Sequence, residues 1–439
     1  MINGGIMPIF LSILIMILML SVLTIVHELG HFICARIFKV NVVEFSIFMG
    51  PKLFSRKSKK HGTQFTLRLI PLGGYCAFED DRGDANSPNS LYSQKWYKRA
   101  VIFLGGVTMN FLLAWLIATL IVGSGFFTNT TVSKIDENSV AHFVGIAAGD
   151  RLEKMDGLDV LTGTDISLAT YGIQDRDSSD EVMHSRYSLK YDRKGTKIYY
   201  DIEKVINYEK TEKTLEDGTK SESWRVKDYS YTIVRKTKGV ETVFTYTAEV
   251  LSIDEENNLA NCRVIKTCDG ELVSDGEEAV SGENYVSLGN SSFQVIDTKN
   301  PFVLLGRGFL EMISMIKSVY ISLWWIITGK VGLSGLMGPV GLTGVVKDVV
   351  GANADTGLKI ITLANMAALI SANLGVVNAL PIPGLDGSHL LFIVVELIRR
   401  GKKIPPKAQA IISYAGLGLM ILLAVVIAGS DVFRMIRGG

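Results

Sequence analysis

Four runs of apolar residues, each free of charge, mark out the chain: Ile6 to Val26, Ala100 to Phe127, Ile360 to Leu380 and Ala408 to Ser430. As helices rising about 1.5 Å per residue, each is long enough to cross roughly 30 Å of hydrocarbon, so the pattern predicts four membrane spans. A fifth apolar stretch, Phe309 to Thr328, is interrupted by Glu311 and Lys317 and carries the pair Trp324-Trp325. It is expected as an amphipathic helix on the outer surface, its indoles at the headgroup level. Asn129 to Asn300 is a polar, charged block. In Thr63 to Phe78 the period changes: Phe65, Leu67 and Leu69 alternate with Thr66, Arg68 and Ile70, and Gly73-Gly74 permits a tight turn. That is the pattern of a strand pair rather than a helix.

Charge sets the orientation. Cys34 to Arg99 holds twelve Lys and Arg while nothing before Arg36 is basic, which assigns that segment to the cytoplasm and the N-terminus to the outside. Arg399, Arg400, Lys402, Lys403 and Lys407 mark the link between the last two spans as cytoplasmic too. The polar block and the C-terminus are then outside. The opening run lacks a basic start and a small-residue cleavage signature, so it is expected to stay as an anchor. A net charge of +1, with 48% hydrophobic residues, argues against a nucleic-acid binder and for a membrane protein with a polar section.

The chemistry lies at the end of the first span, which reads His27-Glu28-Leu29-Gly30-His31. Residues i and i+4 project from one helix face, so both imidazoles can reach a single ion with Glu28 beside it. Zinc held this way activates water for peptide hydrolysis, and the Glu takes the proton and passes it to the leaving amine. The plainer reading is a chance match in a helix end that is merely interfacial. Against it stands the cost of an ionised carboxylate in a bilayer, roughly 2.5–3.5 kcal/mol on insertion scales.

A third ligand is needed, and His61 sits in a basic stretch that reads as solvated loop. Asp386 is the better candidate. It follows Asn378-Ala379-Leu380-Pro381-Ile382-Pro383-Gly384-Leu385, where two prolines break the helix at membrane depth. A simple Asx turn after Pro-Gly is the alternative. His389, three residues on, is a second possible ligand, although a supporting or packing role suits it better.

Together, HExxH at His27–His31 and NxxPxPxxDG at Asn378–Gly387 resemble the site-2 protease family of intramembrane zinc metalloproteases, in particular its PDZ-bearing bacterial type. Pro71-Leu72-Gly73-Gly74-Tyr75 resembles the family's re-entrant loop, Gly106 to Phe111 its second-span motif, and Ser334 to Gly341 the segment before its third span. Ser388 departs from the usual second glycine, and Gly105-Gly106 lacks the proline often found before the position of Asn110. The resemblance implies zinc as cofactor, His27, His31 and Asp386 as its ligands, Glu28 as catalytic base, and Asn378 as a group engaging substrate backbone or oxyanion. It also implies a bacterial inner-membrane setting and single-span substrates already shortened by another protease, such as anti-sigma factors, or remnant signal peptides. Gly73, Gly74 and Tyr75 are candidate substrate-binding residues, because an exposed strand edge can hold an unwound segment by strand addition; an ordinary cytoplasmic hairpin is the plainer alternative.

In the outer block, Gly145 to Leu152 and Met155-Asp156-Gly157 resemble the Ala-Gly-Leu-x-x-Gly-Asp run of bacterial PDZ domains. At about 170 residues the block exceeds one such domain, and Tyr171 to Trp224 reads as a charged insertion of strands and loops. The block is expected to act as a gate against bulky ectodomains or a reader of a fresh C-terminus, with an inert spacer as the alternative. Cys262 and Cys268 leave a disulfide open, while Cys34 and Cys76 lack a structural zinc pattern.

The expected fold is a polytopic α-helical membrane protein of four transmembrane helices, with a re-entrant β-hairpin loop and an extracytoplasmic mainly-β PDZ-like domain. Its expected parts are 1–35 (first span with HExxH), 36–98 (cytoplasmic and re-entrant β loop), 99–127 (second span) and 128–300 (PDZ-like domain with charged insertion). There follow 301–357 (surface helix and linker), 358–398 (third span with NxxPxPxxDG) and 399–439 (basic link and fourth span). The rival readings are a metal-ion transporter, which would show a polar through-path or repeat symmetry that the sequence lacks, and an inactive PDZ-bearing adaptor, which has no need of Glu28. The oligomeric state is not legible.

Overall fold

The structure is a computed structural model describing residues 3–79, 88–173, 177–178, 181–214, 220–254, 259–281, 291–295, 300–331 and 338–437. Arg82 and Ser334 to Met337 lie outside these. The chain divides into two compact units, Met1–Ser124 with Lys299–Gly439, and Gly125–Thr298.

The first unit begins with α1 (Asn3–Ile37), which carries the His pair in its last third. Strands β1 (Val42–Lys57) and β2 (Gln64–Phe78) follow, then α2 (Trp96–Gly123). β1 and β2 pair antiparallel in a tightly bent ribbon: Phe45 lies opposite Cys76 and also Phe65, and Arg56 opposite Phe65. The ribbon packs along α1, where Phe32 meets Phe45 and Phe65 at ring separations of 5.2 and 5.7 Å. Helices α1 and α2 cross at glycine: a Cβ on Gly30 would meet the Gly105 carbonyl oxygen at 2.1 Å. Small residues let membrane helices approach closely and trade backbone contact for side-chain bulk.

After the second unit come α5 (Pro301–Ile327), α6 (Pro339–Gly351), α7 (Thr356–Ala379), α8 (Asp386–Ile398) and α9 (Pro406–Arg437), in the numbering that also counts α3 and α4 below. Among the described residues five helices are long and apolar enough to cross a membrane: α1, α2, α5, α7 and α9. α5 is the stretch expected on the outer surface. α5 runs along the C-terminal half of α2, with Gly308 against Thr119, Phe309 against Trp115, and Trp115 Nε1–H donating to the Leu305 carbonyl at 2.9 Å. Glu311, which in the sequence argues for exposure, is 1% exposed, and Met312, Ser314 and Met315 are buried with it. A charge count cannot see that a helix neighbour covers the charge.

α7 and α8 are separated by the Pro381–Leu385 turn. Gly384 there takes φ +96°, a left-handed conformation open to glycine at little cost. Gly387 has no side chain where a Cβ would strike the Leu380 carbonyl oxygen at 2.0 Å. The turn is braced by α9, since a Cβ at Gly416 would meet the Pro383 carbonyl oxygen at 2.0 Å.

The second unit holds β3 (Thr128–Ile135), α3 (Val140–Phe143), β4 (Arg151–Met155), β5 (Leu158–Asp159), α4 (Gly163–Ile173), β6 (Asp177–Ser178), β7 (Val182–Arg193), β8 (Thr196–Thr214), β9 (Lys220–Thr237), β10 (Val240–Asp254), β11 (Leu259–Cys268), β12 (Glu271–Ser281) and β13 (Ser291–Val295). The sheet order is β12-β11-β10-β9-β8-β7-β4-β3-β13. The charged stretch read as an insertion is thus strands β7, β8 and the start of β9, in register with the rest of the meander. Its inward positions, Leu189, Tyr191, Ile198, Tyr200 and Ile202, are buried, and most of its charges, the buried Lys204 apart, lie on the other face, which disguises the period of two. Cys262 and Cys268 are both free thiols on β11. Six residues of strand separate them by about 20 Å, far beyond disulfide reach.

Candidate metal centre

Three ligand atoms converge from two distant parts of the first unit. His27 Nε2 lies 2.9 Å from Asp386 Oδ2, His31 Nε2 lies 3.1 Å from the same oxygen, and the two Nε2 atoms are 3.1 Å apart. The helical repeat of α1 supplies the two rings, and the proline-broken turn delivers Asp386 at the first position of α8. Both His residues are under 8% exposed. Among the described residues this is the one cluster of three or more His, Cys, Asp or Glu able to hold a metal ion.

The far side of each ring fixes its tautomer. His31 Nδ1–H donates to the Ile102 carbonyl at 2.8 Å, which leaves the Nε2 lone pair facing the cluster. Asn110 on α2, fully buried, has its side-chain Nδ2 3.1 Å from His27 Nδ1, while its Oδ1 has no hydrogen-bond partner. Turning that amide by half a rotation sets Oδ1 against His27 Nδ1–H. Both Nε2 lone pairs then point inward with the carboxylate. Donors around tetrahedral zinc with bonds of about 2.0–2.1 Å stand about 3.3 Å apart, so the triangle needs only a slight expansion. The space is provided by Gly106, where a Cβ would lie 2.5 Å from His31 Nε2 and 2.7 Å from His27 Nε2. The residues fit the ion.

Glu28, the neighbour of His27 on the same helix end, shares a cavity with His31 and Asp386. Its Oε2 accepts the Cys76 N–H at 2.9 Å, which joins the carboxylate to the edge of β2. Glu28, His31, Tyr75, Cys76 and Asp386 line an open cavity of about 700 Å³ whose other walls come from Leu91 and Tyr92 and from α2, α8 and α9. His389 also lines it but is not a member of the ligand cluster: its ring stacks on Phe103 at 4.4 Å, the packing role that its position suggests. Gly73 and Gly74 sit on the α1 side of the ribbon, where Gly73 N–H donates to Ser21 Oγ at 3.2 Å and a Cβ at Gly74 would meet the Ser46 carbonyl oxygen at 2.7 Å. Asn378 is half-buried at the end of α7 and is not among the cavity-lining residues.

The sequence reading gives no role to three groups that the structure joins to this site. Asn110 and Gly106 stand i+4 apart on α2, and that spacing beside an apolar run is the signal for them. Arg99 of α2, which lines the cavity, forms a buried ion pair with Glu396 of α8, and only the two facing charges in apolar stretches hint at it.

Comparison with known proteins gives the family. The model of peptidase family M50 matches residues 15–423. A Clostridium acetobutylicum protein carrying the provisional name zinc metalloprotease is 29% identical over 423 residues, covering 96% of this chain and 98% of that one. The regulator of sigma-E protease RseP of Salmonella typhimurium is 27% identical over 455 aligned residues, covering 95% and 98%. The regulator of sigma-W protease RasP of Bacillus subtilis is 25% identical over 448, covering 97% and 99%. With matches of this extent around an HExxH helix, the chain belongs to peptidase family M50, the site-2 proteases, and is a zinc-dependent metalloprotease of the membrane.

Proposed function

We propose that the protein hydrolyses peptide bonds inside the transmembrane segments of single-span substrates, with His27, His31 and Asp386 holding zinc and Glu28 as catalytic base. The observation that carries this is the 2.9–3.1 Å triangle of donor atoms, to which a helix and a broken span both contribute. When bound, zinc makes water acidic enough to ionise near neutral pH and polarises a carbonyl. Glu28 takes the proton of the attacking water and delivers it to the departing amine nitrogen. The Cys76 N–H keeps the carboxylate turned toward the strand edge while it does so. A substrate helix must be unwound first, since its amides are internally bonded. The ribbon β1–β2 contains two strands, and the edge at Gly73, Gly74 and Tyr75 is suited to receive a third by strand addition. The role of Asn378 toward the substrate backbone or oxyanion rests on the family resemblance alone, since the residue lies half-buried at the end of α7 outside the cavity lining.

The topology that suits both basic segments has four spans, α1, α2, α7 with α8, and α9, with residues 36–98 and 399–407 in the cytoplasm and both termini outside. α5 then enters beside α2 from the outer face and the chain returns through α6. The outer unit, whose Gly145, Gly149 and Gly157 all take positive φ as tight PDZ-type turns require, serves as a size filter or C-terminus reader. RseP and RasP are named as regulators of sigma-E and sigma-W, which supports anti-sigma-type proteins, or remnant signal peptides, as substrates. Membership of a metalloprotease family favours this over a transporter or an adaptor.

The test is Glu28→Gln against wild type, purified in detergent and assayed for bound zinc and for cleavage of a labelled single-span peptide. The variant is expected to keep one zinc and lose cleavage by about 10⁴-fold or more. Equal cleavage by both ends the mechanism, and full activity in Asp386→Ala moves the third ligand elsewhere.

A further inference from the structure

The ribbon β1–β2 carries a charge pair, Arg68 with Glu44, beside apolar turns and with Lys52 opposite Arg68 in the register. Met49, Leu69, Ile70 and Leu72 at its turns are exposed side chains. The same end reaches back to Ser21, which hydrogen-bonds the Pro71 carbonyl at 2.5 Å, about 24 Å along α1 from the helix end at Ile37. An ionised group near that depth is costly and calls for a function.

Arg68 is almost saturated. Its Nε–H donates to Ser46 Oγ at 3.0 Å, Nη1–H to the Gly50 carbonyl at 2.7 Å, and Nη2–H to Glu44 Oε1 at 2.9 Å and to the Tyr75 hydroxyl at 2.6 Å. The Arg68 and Glu44 side chains are 16% and 6% exposed, and the guanidinium carbon lies 5.4 Å from the Tyr75 ring centre. One planar fork therefore ties the first half of β1, the turn at Gly50 and the strand at Tyr75. Lysine cannot copy this, having a single nitrogen. A two-stranded ribbon is marginal by itself, yet Tyr75 is the neighbour of Cys76, whose N–H meets Glu28.

We propose that Arg68 is a positioning residue for substrate: through Glu44, Gly50 and Tyr75 it holds the Gly74–Cys76 edge of β2 ready-formed, so that an added peptide strand arrives in register with Glu28. The inference rests on the strand-addition reading above. Arg68 touches no reacting atom. Its removal leaves the His27, His31 and Asp386 geometry alone and makes the substrate order the edge as it binds, so the loss falls on KM.

The experiment uses the full chain in detergent as wild type, Arg68→Gln, Arg68→Lys and Tyr75→Phe. Zinc per chain, KM and kcat are measured on a labelled single-span peptide, and on the same peptide N-methylated at amides flanking, but not including, the scissile bond. Arg68→Gln is expected to raise KM about tenfold, the loss of one or two net hydrogen bonds, with kcat within about twofold and zinc unchanged. Arg68→Lys falls between, and Tyr75→Phe moves KM in the same direction by less. N-methylation weakens the wild type more than Arg68→Gln. An unchanged KM in zinc-loaded Arg68→Gln, or a loss confined to kcat, overturns the proposal. If Arg68→Gln does not retain zinc, an unchanged KM in Tyr75→Phe overturns it instead. N-methylation without effect on the wild type removes strand addition itself; a full effect there with wild-type kinetics in Arg68→Gln removes only the role of Arg68.

Discussion

At Gly106 the missing side chain is what admits the histidine pair. A Cβ there would stand 2.5 Å from His31 Nε2 and 2.7 Å from His27 Nε2, closer than any ordinary contact. Gly106→Ala improves helix propensity by about 1 kcal/mol yet is expected to weaken zinc binding at least about tenfold, measured by competition with a chelator. Asn110 acts from the other side. Asn110→Leu keeps the branched shape, at somewhat larger volume, and removes the partner of His27 Nδ1, and such a loss typically lowers metal affinity about 10- to 100-fold; unchanged affinity would mean that the ring needs no orienting partner. At this scale the sequence is informative where local geometry alone decides. The spacing of His27 and His31 is legible because the helical repeat fixes it, and Asp386 because an acid behind two prolines in an apolar run needs a partner. Gly106 and Asn110 show only as an i, i+4 pair inside an apolar motif and Cys76 not at all, since what each meets lies across a helix crossing or a strand edge.

Elements set how firmly Asp386 is held. α8 begins at Asp386 and is pinned to α2 by the buried pair of Glu396 with Arg99. Arg99→Met strands a buried carboxylate and is expected to cost about 3–5 kcal/mol in thermal unfolding of the detergent-solubilised protein, whereas Arg99→Met with Glu396→Met recovers most of it. Elsewhere, strands β4, β7 and β8 are cross-linked at Glu153, which takes the Lys197 ammonium at 2.5 Å and that of Lys190 at 3.1 Å. The Lys197 hydrogen bond, with Lys190 assisting, holds the Glu153 carboxyl down to about 2 from an ordinary 4.5. Because the folded value is the lower one, the stability that this group gives is complete above about pH 4.5 and drains away as pH falls toward 2. Glu153→Gln should therefore lose amide protection in these strands at pH 7, and wild type and variant should converge near pH 2 by hydrogen exchange on the full chain. The apolar runs of α1, α2, α7 and α9 are plain in the sequence because hydrocarbon demands length and lack of charge. The burial of Glu311 in α5 is not legible because packing covers the charge, and the register of β7 to β9 is not because a strand with one wet face displays its charges and hides its alternation.

For the whole molecule, the proposed arrangement is a membrane unit that does the chemistry and an outer unit that restricts what reaches it. The four-span topology makes a definite claim about the segment after α5. Lys330→Cys, with the four native cysteines replaced, should resist a charged maleimide applied from the cytoplasmic side of oriented vesicles; ready labelling there would make α5 a fifth span. The division into units is legible as a change of composition near Asn129 and Asn300, against Gly125–Thr298 in the structure. The depth of the ribbon β1–β2 is legible only through the resemblance of Pro71–Tyr75 to a re-entrant loop, because its apolar turns otherwise look like any hairpin until they meet Ser21. The central claim, that one zinc is held jointly by the first span and the late aspartate, is tested most directly by X-ray absorption at the zinc edge on purified Glu28→Gln and on Glu28→Gln with Asp386→Ala. The account predicts one zinc per chain with two imidazole nitrogens and a carboxylate oxygen at about 2.0–2.2 Å, and loss of that oxygen and of most of the metal in the double variant. A sulfur ligand, or an unchanged spectrum and zinc content without Asp386, would contradict it.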